Sequence, residues 1–222
     1  TILYKLSSED DDAYTEDVPE YAGTYDVKYL IAETSSHESG VASSTFNINK
    51  KAIDLTVEMA DFTYGEDAPN PTLTGNVSGG AETISYKLKD SEDEFDDEVP
   101  VAAGTYIIKY DVDATSNYLG NSATAEFVIA KANIAPEISL DDYTYGEDMP
   151  TPVITGNVEN GNVTYLYKAK TAETYSEEVP VNAGTYNIKA EISETANYNG
   201  NSATTEFTIN KADIDPTIAM KS

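Results

Sequence analysis

The chain contains no cysteine, no tryptophan and one histidine, and all 13 of its basic residues are lysine. Without cysteine there is no disulfide framework, no thiolate metal site and no cysteine nucleophile. Against those 13 lysines stand 40 acidic residues, for a net charge of −27 over 222 residues. Nucleic-acid binding needs clustered cations and arginine forks on phosphate, so that class of partner is excluded. Attraction to an anionic membrane surface fails for the same reason. No run of 18 apolar residues occurs, so no segment here reads as a membrane span. The first residues, Thr-Ile-Leu-Tyr-Lys, carry neither a Met nor a signal peptide, and the sequence reads as a piece of a longer chain.

What the sequence does have is self-similarity. Ala-Gly-Thr-Tyr stands at residues 22–25, 103–106 and 183–186, at pitches of 81 and 80 residues. Thr-Tyr-Gly-Glu-Asp stands at 63–67 and 144–148, and Asn-Tyr-x-Gly-Asn-Ser-Ala at 117–123 and 197–203. The pairs Phe46/Ile48, Phe127/Ile129 and Phe207/Ile209 keep the same pitch. A period near 80 residues is that of an array of small domains. The expected division is a partial repeat at 1–50 that lacks its opening strands, complete repeats at 51–131 and 132–211, and the opening strand of a further repeat at 212–222.

Within each copy the apolar period is two. Tyr106, Ile108, Tyr110 and Val112 alternate with Thr105, Ile107, Lys109 and Asp111, and Tyr186, Ile188, Ala190 and Ile192 repeat the pattern. One face is thereby assigned to a core and one to water, as in antiparallel sheets. Turn chemistry at Val-Pro-Val-Ala-Ala-Gly (99–104) and Gly79-Gly80 separates the runs. Seventeen tyrosines and regular alternation argue against disorder. The sequence predicts an all-β chain of tandem Ig-like β-sandwiches of about 80 residues, joined without Gly/Ser linkers.

The ordered set Tyr-Gly-x-x-x-Pro, Val-Pro-x-x-Ala-Gly-Thr-Tyr, Asn-Tyr-x-Gly and Phe-x-Ile-x-Lys-Ala resembles the MBG-type (YGX-type) and YDG-type Ig-like repeats of bacterial extracellular surface proteins and adhesins. The resemblance spans essentially the whole chain. It implies an extracellular, cell-surface or secreted location and a structural stalk that carries other domains away from the cell. It supplies no catalytic residues. Two alternatives stay open: repeats that themselves bind host or environmental glycans or proteins, and a subunit of a self-assembling extracellular filament. The second follows from the open edges that a partial first repeat leaves for head-to-tail association.

Candidate site residues are those whose chemistry recurs. An aromatic followed by two carboxylates and Val-Pro stands at Tyr14/Glu16/Asp17, Phe95/Asp97/Glu98 and Tyr175/Glu177/Glu178, and Glu66/Asp67 is matched by Glu147/Asp148. Convergence of two such pairs would suit calcium, which takes 6–8 oxygens; the other reading is a solvated acidic face. Tyr118 and Tyr198 are candidates for stacking on a sugar, or for loop residues folded back on the sandwich edge. No carboxylate is singled out as a general acid, and His37 has no counterpart in the other copies, so no enzyme is expected. Lys28, Lys109 and Lys189 fall on the water-facing phase, as do Lys5, Lys87 and Lys168, against a buried lysine cross-link.

Overall fold

The computed structural model of the chain describes residues 1–218, and within them the backbone is strand, turn and two single-turn 3-10 helices at Asp11–Ala13 and Val158–Asn160. The first copy supplies β1 (Ile2–Leu6), β2 (Gly23–Ile31) and β3 (Gly40–Ile48). The second supplies β4 (Thr56–Glu58), β5 (Phe62–Thr63), β6 (Thr72–Thr74), β7 (Glu82–Leu88), β8 (Gly104–Val112) and β9 (Asn121–Ala130). The third supplies β10 (Ala132–Asn133), β11 (Glu137–Ser139), β12 (Tyr143–Thr144), β13 (Val153–Thr155), β14 (Val163–Ala169), β15 (Gly184–Ile192), β16 (Tyr198–Asn199) and β17 (Asn201–Asn210). No helix among the described residues is long and apolar enough to cross a membrane.

Sheet topology repeats with the sequence. The third copy forms the sheet β12-β17-β15-β14 and the small pair β11-β13; the second forms β5-β9-β8-β7 and β4-β6; the first forms β1-β2-β3. The large sheets are antiparallel meanders with one short parallel strand at the edge, where Tyr143 pairs with Ile209 and Phe62 with Ile129. Two sheets facing each other make a sandwich. In the third copy its core joins Ile138 and Leu140 to Tyr167, Ile188, Ala190, Phe207 and Ile209.

Alternation of period two fixes which residues enter that core. Ile108, Tyr110 and Val112 are 0, 1 and 3% exposed, while Lys109 and Asp111 between them face outward. Each copy centres on a phenylalanine with tyrosines around it. Tyr25 stacks on Phe46 at 5.6 Å, Tyr106 on Phe127 at 5.7 Å and Tyr186 on Phe207 at 5.8 Å. Tyr4, Tyr86 and Tyr167 meet the same three rings edge-on. Aromatic contacts of both kinds add to the apolar burial. The Tyr25 and Tyr186 hydroxyls donate at 3.0 Å to the carbonyls of Tyr21 and Asn182, at the strand mouth.

The first copy lacks the facing pair of strands. Its Tyr29 and Ile31, in the phase that Tyr110 and Val112 occupy, are 50 and 51% exposed. Residues 212–218 form no strand, and 219–222 lie outside the described residues. Contacts group the chain into two compact units whose edges do not follow the repeat pitch. One holds Thr1–Ala60, Ala68–Pro100 and Thr105–Phe127; the other holds Asp61–Asp67, Val101–Gly104 and the chain from Val128 onward. The two excised segments, Asp61–Asp67 and Val101–Gly104, belong by sequence to the second copy and pack with the third.

Candidate functional site

The first of these segments contains the Tyr-Gly-Glu-Asp turn and the second ends on Ala103-Gly104, the first half of Ala-Gly-Thr-Tyr; what they meet is the Asn-Tyr-x-Gly loop of the following copy. The Ala103 amide donates to Asn197 Oδ1 at 2.9 Å, and the Ala22 amide donates to Asn117 Oδ1 at 2.9 Å. The same atoms of the same motif are thus joined twice, one repeat apart. Beside the first of these contacts the Tyr64 and Tyr198 rings meet edge-on at 5.4 Å.

The loop is built to present that asparagine. Thr195 and Tyr198 close it, the Thr195 amide donating to the Tyr198 carbonyl at 3.0 Å. Tyr198 and Asn199 pair in parallel with Ala132 and Asn133, and Tyr118 bridges Lys51 in the same sense. Four residues after the first asparagine comes the second, which turns inward on its own copy. Asn121 Nδ2 donates to the Ile53 carbonyl at 2.7 Å, and Asn201 Nδ2 to the Ile134 carbonyl at 2.8 Å. One loop therefore holds the preceding copy with one amide and its own opening segment with the other. In the third copy Asn197 Nδ2 also donates to Glu159 Oε1 at 2.9 Å, and this holds the Glu159 carboxyl below its ordinary range, with Thr195 adding to the effect. The second copy has Ser78 where Glu159 stands, so only one of the two asparagines is oriented by a carboxylate.

The acidic loops are organised by their aromatic residue. The Tyr14 ring lies under Lys28 and Lys5 at 4.0 and 5.4 Å, Phe95 under Lys87 and Lys109 at 5.3 and 5.6 Å, and Tyr175 under Lys168 and Lys189 at 5.0 and 6.0 Å. One lysine comes from each of two neighbouring strands, and the ring attracts both through its face. A single bridge next to the ring (Tyr4 with Thr15, Tyr86 with Asp96, Tyr167 with Ser176) ties each loop to its strand. In the first copy the expectation for Lys5 is overturned: its longer loop, with the Asp11–Ala13 turn, covers the side chain, leaving 8% of the residue exposed. The Lys5 amine donates to the Glu9 carbonyl at 2.7 Å and faces Asp26 at 3.3 Å. Ser7 and Thr45 hydrogen bonds, helped by that amine, hold the Asp26 carboxyl low.

The carboxylates proposed for calcium do not gather. Glu16, Asp17, Asp97, Glu98, Glu177 and Glu178 are exposed on their loops. Glu66 and Glu147 close their own turns, their Oε2 atoms accepting from the Thr63 and Thr144 amides at 2.8 Å; Asp67 and Asp148 are exposed beside them. Among the described residues no three acidic or histidine side chains form a group able to hold a metal ion. Tyr118 and Tyr198 are half-buried in the loops that follow Asn117 and Asn197. A cleft of about 690 Å³ opens beneath the first acidic loop, between Tyr4, Glu9, Pro19 and Tyr21, and its counterpart in the third copy measures about 220 Å³.

Two features that position the site show in the sequence only as recurrence. Ala22 and Ala103 open two copies of Ala-Gly-Thr-Tyr, and their nearly equal spacing from Asn117 and Asn197 (95 and 94 residues) is what marks them as partners. The Thr-Gly-Asn turns at 74–76 and 155–157 recur as well, and were recoverable from that recurrence. Gly75 has φ +94° and Gly156 φ +71°, and a Cβ there would lie 1.8 and 2.4 Å from the Asp54 and Ala135 carbonyl oxygens.

Fold and junctions together define an all-β tandem repeat protein whose recurrent polar residues join one repeat to the next. The family model for the MBG domain matches residues 54–133 and again 139–213, and the chain belongs to that family. No curated protein matches it by sequence. Solved structures offer slight likeness. Drosophila N-cadherin EC1-4 is 10% identical with a TM-score of 0.26, over 96% of this chain and 68% of that one. N-cadherin EC1-3 is 10% identical with a TM-score of 0.27, over 96% and 89%. The S-layer protein rSbsC(31-844) is 13% identical with a TM-score of 0.27, over 98% of this chain and 38% of that one.

Proposed function

We propose that the chain is a stalk or spacer segment of an extracellular bacterial surface protein, non-enzymatic, whose work is to hold other domains at a distance. In this reading it comprises a partial repeat at 1–50, complete repeats at 51–131 and 132–211, and the start of another at 212–222. The observation that carries it is the recurrence of the amide-to-asparagine contact, Ala22 to Asn117 and Ala103 to Asn197. Residues kept at repeat pitch are spent on holding repeats together, and the other recurrent groups clamp loops or fill cores. A net charge of −27 keeps such segments soluble and mutually repelling, with salt relieving the internal strain.

Small-angle scattering of the whole chain, in chelator and in millimolar calcium at one ionic strength, tests this reading. A spacer gives an extended monomer in both. A profile that lengthens only with calcium would make the carboxylate pairs cation ligands after all, and a compact particle or concentration-dependent polymers would sink the spacer. Adhesive repeats would instead bind glycans or proteins in a way that Tyr118→Ala and Tyr198→Ala abolish.

A further inference from the structure

The turn that joins β6 to β7, and β13 to β14, differs between the two complete copies at the residues that hold it. In the second copy it reads Asn76-Val77-Ser78-Gly79-Gly80, and in the third Asn157-Val158-Glu159-Asn160-Gly161. Asn76 and Asn157 close it alike, their Nδ2 atoms donating to the Gly80 and Gly161 carbonyls at 3.1 and 2.9 Å. In the second copy Ser78 Oγ completes the turn, donating to Asn76 Oδ1 at 2.9 Å, and Gly79 takes the left-handed position at φ +66°. In the third, Asn157 Oδ1 is buried without a donor among the described residues, and Glu159 and Asn160 hold φ +58° and +53°. Asn160 therefore stands in a glycine's place. It is exposed, its side chain makes no hydrogen bond among the described residues, and a glycine follows it.

We infer that Asn160 is a deamidation site and that its conversion loosens the Glu159–Asn197 contact beside the Ala103 junction. The inference holds whether or not the chain is a spacer. The reaction needs only water. The Gly161 amide nitrogen attacks Cγ of Asn160 and gives up its proton, and Nδ2 leaves as ammonia, closing a succinimide ring. Water then adds to one of the ring carbonyls and opens it, giving aspartate or isoaspartate. A following glycine presents the attacking nitrogen with no Cβ beside it. Asn-Gly occurs at 160–161 and at 199–200, and the structure separates the two. Asn199 lies in β16, and its Nδ2, the leaving group, donates to Asn133 Oδ1 at 3.0 Å and to the Lys131 carbonyl at 3.3 Å. Nothing comparable holds Asn160. Either product places a new carboxylate next to Glu159, and isoaspartate also lengthens the main chain by a methylene. From this same turn Glu159 Oε1 accepts from Asn197 Nδ2 at 2.9 Å, and Asn197 Oδ1 accepts from the Ala103 amide. Conversion thus displaces the group that orients Asn197. The Gly79-Gly80 turn of the second copy has no side-chain amide to lose.

The test ages the 222-residue chain in warm, mildly alkaline buffer and follows each asparagine by peptide mapping with mass spectrometry. Isoaspartate is read by enzymatic methylation. Asn160 should convert roughly tenfold faster than Asn199, whose two hydrogen bonds must open first. Amide exchange at Ala103 should quicken in proportion to the converted fraction, while Ile188 keeps its protection. Asn160→Gly should remove both the mass change at this turn and the age-dependent loss at Ala103. An Asn160 that stays intact, or that converts only after Asn199, overturns the site. Conversion of Asn160 that leaves Ala103 fully protected overturns its link to the junction. Neither outcome bears on the scattering test of the spacer.

Discussion

Replacing Asn197 by alanine removes the acceptor of the Ala103 amide, a part-buried hydrogen bond of 2.9 Å. A neutral hydrogen bond contributes about 0.5–1.5 kcal/mol, and leaving a partly desolvated donor unmet raises the cost, so the junction should lose about 1–2 kcal/mol. That corresponds to a roughly five- to thirty-fold rise in local opening. Hydrogen exchange read by NMR resolves it: protection of Ala103 should fall by that factor, while Ile188, Phe207 and other core amides of the third copy keep theirs. The locality matters because the hydrogen-bond partners of the Asn197 side chain are the Ala103 amide and the exposed Glu159 carboxylate. Unchanged protection at Ala103 would refute the junction, and an equal loss at Ile188 would show that Asn197 supports the domain and not the join. Asn117→Ala should act likewise on Ala22.

Three further outcomes follow from the same geometry. Glu159 is held below its ordinary pKa of 4.5 by Asn197 and Thr195, so its contribution is fully present above pH 4.5 and is lost as pH falls through the lowered value. The protection factor of Ala103 should therefore drop at acid pH in the native chain, and Glu159→Gln should flatten that drop. Ile188 is fully enclosed, so Ile188→Ala should cost roughly 2–5 kcal/mol in denaturant unfolding, whereas Val181→Ala, at a residue 73% exposed, should stay within about 0.5 kcal/mol. Gly65 has φ +87° in open space and Gly75 φ +94° against a carbonyl. Gly65→Ala should cost about 1 kcal/mol of backbone strain, and Gly75→Ala clearly more; equal costs would show that the Asp54 carbonyl moves aside freely.

The fold was legible because its signals are local. Alternation through Tyr106–Val112 and Gly184–Ile192 assigns core and solvent faces directly, and recurrence shows where one copy stops. Pairing is less legible. The parallel edge strand at Phe62–Thr63 is two residues long, too short for any period to register, and it depends on contact with Ile129. The site was visible as a set of recurring letters without its partners. Tyr14, Phe95 and Tyr175 drew attention to the carboxylates after them, yet the groups they touch are lysines on strands, brought there by the register. Lys5 shows the limit of phase arguments: its strand position faces outward, but a loop two residues longer than that of the third copy covers it. Asn117 and Asn197 sit beside tyrosines whose side chains are the more conspicuous ligands, and nothing in their own surroundings announces an alanine amide some 95 residues away.

The most direct test of junctions that hold repeats is backbone nitrogen relaxation on the native chain and on the double variant Asn117→Ala/Asn197→Ala. Latched repeats predict that amides in β2 and β8 of the native chain report coupled, slow tumbling. In the double variant each should report faster, separate tumbling while its core stays folded. Independent tumbling already in the native chain, or identical relaxation in both proteins, would contradict the assignment of these asparagines as the elements that hold one repeat to the next.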